Sequence, residues 1–151
     1  MKTTDKFFDN SAIAAYKNCP TFYQLRHIKG WRSEGTAMPL IFGQCWHDAM
    51  DVIWTHAKNF GPTELSHLAQ AKFKETWVES GLPEDLTEEH LERFGMRIPP
   101  IAGEMLFHYI ETRWKMLQSC ELVACEQAFA VPLPGMADAW YIGRLDKVVD
   151  Y

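Results

Sequence analysis

The chain has 151 residues and a mass of 17.5 kDa, a length that suits one ordinary domain. Hydrophobic residues make up 47% of it and charged residues 23%, values that exclude a wholly disordered protein. The 15 basic and 20 acidic residues give a formal net charge of -5, which excludes binding of nucleic acid through bulk positive charge. Any nucleic-acid role must therefore depend on a local site.

Signals for secretion and membrane insertion are missing from the sequence. The first ten residues lack the apolar segment of a signal peptide, and no run approaches the roughly 18 apolar residues that span a bilayer. The spacing of the four cysteines is not that of a secreted disulfide scaffold. We therefore expect a soluble, cytoplasmic protein that has no membrane partner and whose cysteines are thiols or metal ligands.

The first two-thirds of the chain has helical patterning. Asn10 and Ser11 are candidate N-caps of a helix that runs to residue 18. Pro20 interrupts this helix, because proline cannot donate the helical hydrogen bond. A second helical segment follows, with Gly30 as its candidate C-cap.

Four more helices are predicted after a polar loop over 31–39. They cover about 40–60, 62–79, a short stretch that begins near Thr87, and 101–117, and their apolar residues recur at spacings of three and four. On these helices, the residues expected to face the hydrophobic core of the protein are Ile41, Cys45, Trp46, Ala49, Met50, Ile53, Trp54, Leu65, Leu68, Phe73, Trp77, Met105, Tyr109 and Ile110.

From Glu121 onward the helical period gives way to extended segments. Two apolar runs flank the turn Pro134-Gly135, and the second run is rich in aromatic and β-branched residues. The pattern predicts an antiparallel hairpin packed against the helices, which places the chain in the α+β class as a single domain over 1–151. Because a two-stranded ribbon alone is marginally stable, we expect the natural polypeptide to continue past Tyr151.

Three fragments carry the residues suited to chemistry. They are the Ser-led helix with Cys19-Pro20-Thr21-Phe22-Tyr23, then Phe42-Gly43-Gln44-Cys45-Trp46-His47, then Gly143-Arg144-Leu145-Asp146. In this order they resemble the RecB-type exonucleases of the PD-(D/E)XK nuclease superfamily. That group includes the nuclease domains of bacterial recombination helicase-nucleases and CRISPR-associated exonucleases. The resemblance covers almost the whole chain.

The resemblance implies a restriction-endonuclease-like mixed sheet and a metal-dependent DNA exonuclease that uses Mg²⁺ or Mn²⁺. It also implies that Asp146 is the metal-bridging carboxylate, that His47 is a second metal ligand, and that Glu126 is an auxiliary catalytic carboxylate. These residue types suit such ions, since hard divalent cations prefer carboxylate oxygens and Mn²⁺ also accepts an imidazole. A charge such as Asp146 inside an apolar strand costs free energy unless it is paired or metal-bound.

Each of these residues also has a purely structural interpretation. His47 could pack beside the apolar stripe of its helix, and Glu126 could be an exposed strand residue. Asp146 could pair with Arg144 or Lys147 at the surface of the hairpin.

An iron–sulfur cluster is not favoured. Some relatives place a first cluster ligand where Cys19 stands, with three more near the C-terminus. Cys120 and Cys125 instead precede Asp146, and such clusters usually need four thiolates. We therefore expect Cys19 to be a buried, structural thiol.

The family pattern also contains an (Asp/Glu)-x-Lys on the strand after the aspartate, and none follows Asp146 within residues 147–151. The resemblance therefore implies DNA cleavage by the full-length domain, and inactivity of residues 1–151 alone. The alternative is a non-catalytic, nuclease-like interaction module. Such a module would dock on a helicase or recombination protein in a DNA-repair or phage-defence assembly.

Overall fold

The protein is described from a computed structural model that covers residues 5–32 and 37–151. The chain divides into two compact units, one formed by Met1–Glu34 with Ala124–Val148 and the other by Gly35–Val123 with Val149–Tyr151. Part of the predicted loop over 31–39 lies outside the described residues.

The first unit combines short helical segments with most of a three-stranded sheet. Its elements are β1 (Lys6–Phe8), α1 (Asn10–Asn18), α2 (Pro20–Tyr23), a π-helical turn (Gln24–Ile28), and most of β2 (Glu121–Pro132) and β3 (Ala139–Asp150).

The strand order in the sheet is β1-β3-β2. β2 and β3 are neighbours joined by a short connection that contains Gly135 with φ 77°, so the predicted hairpin is confirmed. β1 was not predicted. It runs parallel to β3, with Lys6 opposite Ala139 and Phe8 opposite Tyr141, and makes the sheet a mixed one.

The N-cap of α1 differs from the prediction. Asp9, rather than Asn10 or Ser11, caps α1, because its Oδ1 accepts from the Ala12 N–H at 2.6 Å. Cys19 caps α2 through its Sγ, which accepts from the Phe22 N–H at 3.4 Å. Cys19 is exposed, so the expectation of a buried thiol is wrong. Its extended backbone, with φ -158°, turns the side chain toward the start of α2 instead of into a core.

The second unit is helical. It contains α3 (Met38–His56), α4 (Pro62–Glu79), α5 (Glu88–Phe94) and α6 (Pro99–Ser119). The predicted helices are confirmed in number and order, and Thr87 is the N-cap of α5. The residues at the centre of its core include Cys45, Ala49, Ile53, Leu65, Ala69, Phe73, Trp77, Ala102, Leu106 and Ile110.

Two predicted core residues are wrong. Leu68 is 40% exposed and Met105 is 46% exposed. In each case the following residue, Ala69 or Leu106, belongs to a fully buried series with a spacing of four. A position one residue away is rotated by about 100° around the helix and leaves the buried face.

Among the described residues, no helix is both long and apolar enough to cross a membrane.

Candidate metal-binding site

The strands of the first unit hold a charged pair. Arg144 and Asp146 are two residues apart on β3 and therefore project from the same face of the strand. Arg144 Nη1 donates to Glu126 Oε2 on β2 at 3.1 Å. The Arg144 side chain is 65% exposed and that of Glu126 is 32% exposed. The guanidinium thus fixes the orientation of the Glu126 carboxylate while most of its own surface stays open to solvent.

Glu126 has an unusual backbone. Its φ is 51°, in the left-handed region that residues with a Cβ rarely enter. The alternation of exposure along β2 also stops here, because Ala124, Cys125 and Glu126 are all half-buried in succession. A left-handed residue inside a strand is typical of β-bulges, which redirect a side chain. The local backbone therefore sets the direction of this carboxylate.

Glu126 and Asp146, both in the first unit, could share a metal ion. Each offers one carboxylate oxygen, and these two oxygens lie within 4.8 Å of each other. Carboxylate oxygens are the ligands that hard divalent cations prefer. The pair therefore fits a divalent metal ion.

Asp146 is an exposed residue, so its charge is not buried within the strand. The predicted surface partner Arg144 bonds to Glu126. Lys147 Nζ donates to the main-chain oxygen of Asp146 at 3.1 Å.

His47 lies on α3, in the second unit. The buried residues of this helix are Cys45, Ala49 and Ile53, at spacings of four. His47 is two positions from Cys45, about 200° around the helix, and so lies off this buried stripe. The buried residues and the predicted ligand therefore lie on opposite sides of α3.

The neighbour of His47 anchors α3 to α4. Asp48 Oδ2 accepts from Thr76 Oγ1 on α4 at 2.7 Å, and its Oδ1 accepts from Gln44 Nε2 at 2.7 Å. Beside it, burial raises the pKa of the Cys45 thiol to about 11, and the charge of Asp48 acts in the same direction. These contacts fix the rotation of α3 about its own axis.

Gly143 on β3 makes room for the ring of Phe129 on β2. A Cβ at this position would lie 2.6 Å from Phe129 Cζ, so any other residue would force the ring to shift. The glycine of the third sequence fragment therefore accommodates an aromatic ring packed over the strand. A cavity of about 790 Å³ opens beside it, lined by Asp9, Asn10, Ser11, Ala128, Phe129 and residues 141–145.

The sequence model of the PD-(D/E)XK nuclease superfamily matches residues 10–151. The chain belongs to this superfamily. Searches of curated proteins and of solved structures returned no significant match. Members of the PD-(D/E)XK superfamily are nucleases that hydrolyse phosphodiester bonds, and membership points to DNA as the substrate. They typically use divalent metal ions, in agreement with the donor set of this chain.

Sequence reasoning missed two features of this PD-(D/E)XK site. One is the hydrogen bond from Arg144 to Glu126. Arg144 lies two residues before Asp146 and so on the same face of the strand, a position that could have suggested this bond. The other is the left-handed backbone of Glu126, for which the sequence contains no signal.

Proposed function

We propose that this PD-(D/E)XK protein is a metal-dependent DNA exonuclease of the RecB type. Asp146 and His47 are its metal ligands, and Glu126 is an auxiliary catalytic carboxylate. The observation that carries the proposal is the Glu126–Asp146 pair, whose carboxylate oxygens lie within 4.8 Å of each other. The RecB type comes from the order of the three sequence fragments, and it implies work beside a helicase or recombination protein.

The roles of the residues follow from their chemistry. When bound, Mg²⁺ or Mn²⁺ lowers the pKa of a water molecule and neutralises charge on the phosphate. Asp146 and His47 would hold the ion. Arg144 holds Oε2 of Glu126 in place, and so orients the carboxylate that accepts a proton from the attacking water. The exposed guanidinium of Arg144 also suits a phosphate oxygen of the substrate.

Metal binding tests the ligand assignment without any need for cleavage. We would titrate residues 1–151 with Mn²⁺ by calorimetry and compare Asp146→Asn, which keeps the side-chain shape but removes the charge. Loss of a direct ligand should weaken binding by at least about 100-fold, more than changes to outer partners usually do. Asp150→Asn is the matched control, since Asp150 is an exposed carboxylate of the same strand outside the Glu126–Asp146 pair. Equal Mn²⁺ affinity of the wild type and Asp146→Asn would refute the assignment.

Cleavage of DNA by the protein tests the exonuclease assignment. Linear and covalently closed circular single-stranded DNA of one sequence would be incubated with Mg²⁺ or Mn²⁺. We expect degradation of the linear DNA alone, its loss in Asp146→Asn, and its retention in Asp150→Asn. Cutting of the circle would replace the exonuclease with an endonuclease. Metal binding without cleavage of either DNA would support the non-catalytic interaction module instead.

A further inference from the structure

One stretch of this acidic chain is basic. Residues 10–32 contain Lys17, Arg26, Lys29 and Arg32 and no aspartate or glutamate, whereas the whole chain has a net charge of -5. All four basic side chains belong to exposed residues. Asp9 and Glu34 flank the stretch, but within it four cations have no acidic residue between them and leave a local positive potential, which favours an anionic partner.

Large aromatic side chains are exposed in the same stretch. Trp31 is 65% exposed, Tyr16 58% and Phe22 48%. Aromatic rings gain free energy when they are removed from water, and they offer flat faces for stacking. Positive charge interleaved with open aromatic faces is the pattern of single-strand nucleic-acid surfaces.

The fold gathers the central members of this stretch around one pocket. Phe22, Leu25, Arg26, Trp31 and Arg32 line a cavity of about 390 Å³, here named the basic aromatic pocket. All five residues belong to the first unit.

Local bonds shape the pocket after the π-helical turn. The Trp31 N–H donates to the Leu25 carbonyl at 3.0 Å, and Arg32 Nη1 donates to the Arg26 carbonyl at 3.0 Å. Gly30, with φ 72°, lets the chain fold back between these contacts. The Arg26 guanidinium lies 5.8 Å from the centre of the Phe22 ring. Hydrogen bonds to two main-chain carbonyls therefore hold the shape of the pocket. Two arginines and two aromatic rings lie at its border.

We propose that the basic aromatic pocket binds single-stranded DNA at a point outside the Glu126–Asp146 pair. An unpaired base stacks on Trp31 or Phe22, and Arg26 and Arg32 bind the adjoining phosphates. A duplex keeps its bases stacked within the helix and so cannot offer a base face to these rings. The choice of DNA as the polyanion rests on the proposed nuclease function, but binding at the pocket needs no metal.

The test measures binding without cleavage. Fluorescence anisotropy of a labelled oligothymidine would be followed with residues 1–151 in the presence of a metal chelator. Trp31→Ala should weaken binding by about 10-fold, the effect typical of one lost stacking partner. Arg26→Gln with Arg32→Gln should reduce the slope of log affinity against log salt by about 1.4, since each phosphate contact to a single strand contributes about 0.7.

A matched control lies on α5. The Arg93 guanidinium also lies 5.8 Å from a ring centre, that of Phe94, but it is outside the basic stretch. Arg93→Gln should leave both the affinity and the salt slope unchanged. An equal effect of Arg93→Gln and Arg26→Gln would mean that the oligonucleotide senses net charge alone and would overturn the proposal.

Two further variants separate stacking from simple apolar contact. Trp31→Phe should bind more tightly than Trp31→Leu, which keeps apolar bulk without an aromatic face. Equal affinity of these two, or tighter binding of duplex than of oligothymidine, would overturn the proposal. Oligothymidine binding is measured in chelator and Mn²⁺ binding without DNA, so this proposal and the nuclease proposal can fail separately.

Discussion

At the scale of single residues, Glu126 combines a candidate catalytic side chain with a backbone that its residue type disfavours. A left-handed conformation costs a residue with a Cβ about 1–2 kcal/mol. Such strain is found at functional sites, where the surrounding structure enforces it. At Glu126 the neighbouring strand supplies one restraint directly, since Arg144 holds the carboxylate at 3.1 Å.

This strain predicts that, at position 126, a glycine variant is more stable than an alanine variant, the reverse of the usual order. Both Glu126→Ala and Glu126→Gly remove the carboxylate, but only glycine tolerates φ 51°. We expect Glu126→Gly to have the higher free energy of unfolding in urea, by about 0.5–1 kcal/mol. Gln127, the next and exposed residue, has no positive φ and is the control. Gln127→Ala should be more stable than Gln127→Gly by a similar amount. If alanine were the more stable at both positions, a left-handed Glu126 would be contradicted.

Residue identity could be predicted from the sequence better than residue environment. The resemblance singled out Glu126 and Asp146, and a carboxylate oxygen of one lies within 4.8 Å of one of the other. The exposure of Cys19 was predicted wrongly. Exposure depends on which distant segments cover a residue, and a single sequence contains no record of that cover.

At the scale of elements, α3 carries a core thiol next to a charged anchor. Burial raises the pKa of Cys45 from 9.0 to about 11, and Asp48 adds to the shift. A neutral thiol is thus preferred in the folded state.

The shift in the pKa of Cys45 predicts a loss of stability in alkali. Above pH 9 the thiol ionises in the unfolded chain but stays neutral in the folded one, so the free energy of unfolding falls as pH rises toward 11. We expect a loss of about 1 kcal/mol between pH 8 and pH 10, measured by urea denaturation. Cys45→Ala should lack this loss, whereas Cys19→Ala, which removes an exposed thiol, should retain it. An identical alkaline loss in both variants would contradict the assignment to Cys45.

The elements that local patterns specify were predicted well. α4 begins at Pro62 and ends at Glu79 as expected, because proline favours the first turn and the buried residues keep helical spacing. β1 was missed for the opposite reason. Three residues are too few to show a period, and their partner strand lies at the other end of the chain.

At the scale of the whole molecule, charge is distributed unevenly along an acidic chain. The net charge of -5 excludes nucleic-acid binding by bulk charge, but residues 10–32 contain four basic residues and no acidic one. The net charge of the whole chain therefore does not reveal the segment that is best suited to a polyanion. This distribution can be read from the sequence, whereas the grouping of Phe22, Arg26 and Trp31 around one pocket required the structure.

The two units should differ in their protection from hydrogen exchange. α4 is covered on its core face by α3 and α6 and contains Leu65, Phe73 and Trp77 at 1% exposure or less. β1 has three residues and is largely exposed. Mass spectrometry of exchange at neutral pH should show the slowest amides in α4 and fast exchange in β1, since opening free energy follows buried contact. Equally slow exchange in both would contradict this division of stability.

The pairing of β1 with β3 has a consequence for biosynthesis. All the described helices lie between Lys6 and its partner Ala139 in the chain, so Ala139 leaves the ribosome only after these helices have been made. The helices α3, α4 and α6 contact one another over short sequence separations and can assemble while translation continues. The parallel strand pair cannot. β1 therefore cannot pair with β3 until β3 has been made. Closing this long loop is the step most subject to delay and to pairing with a wrong strand.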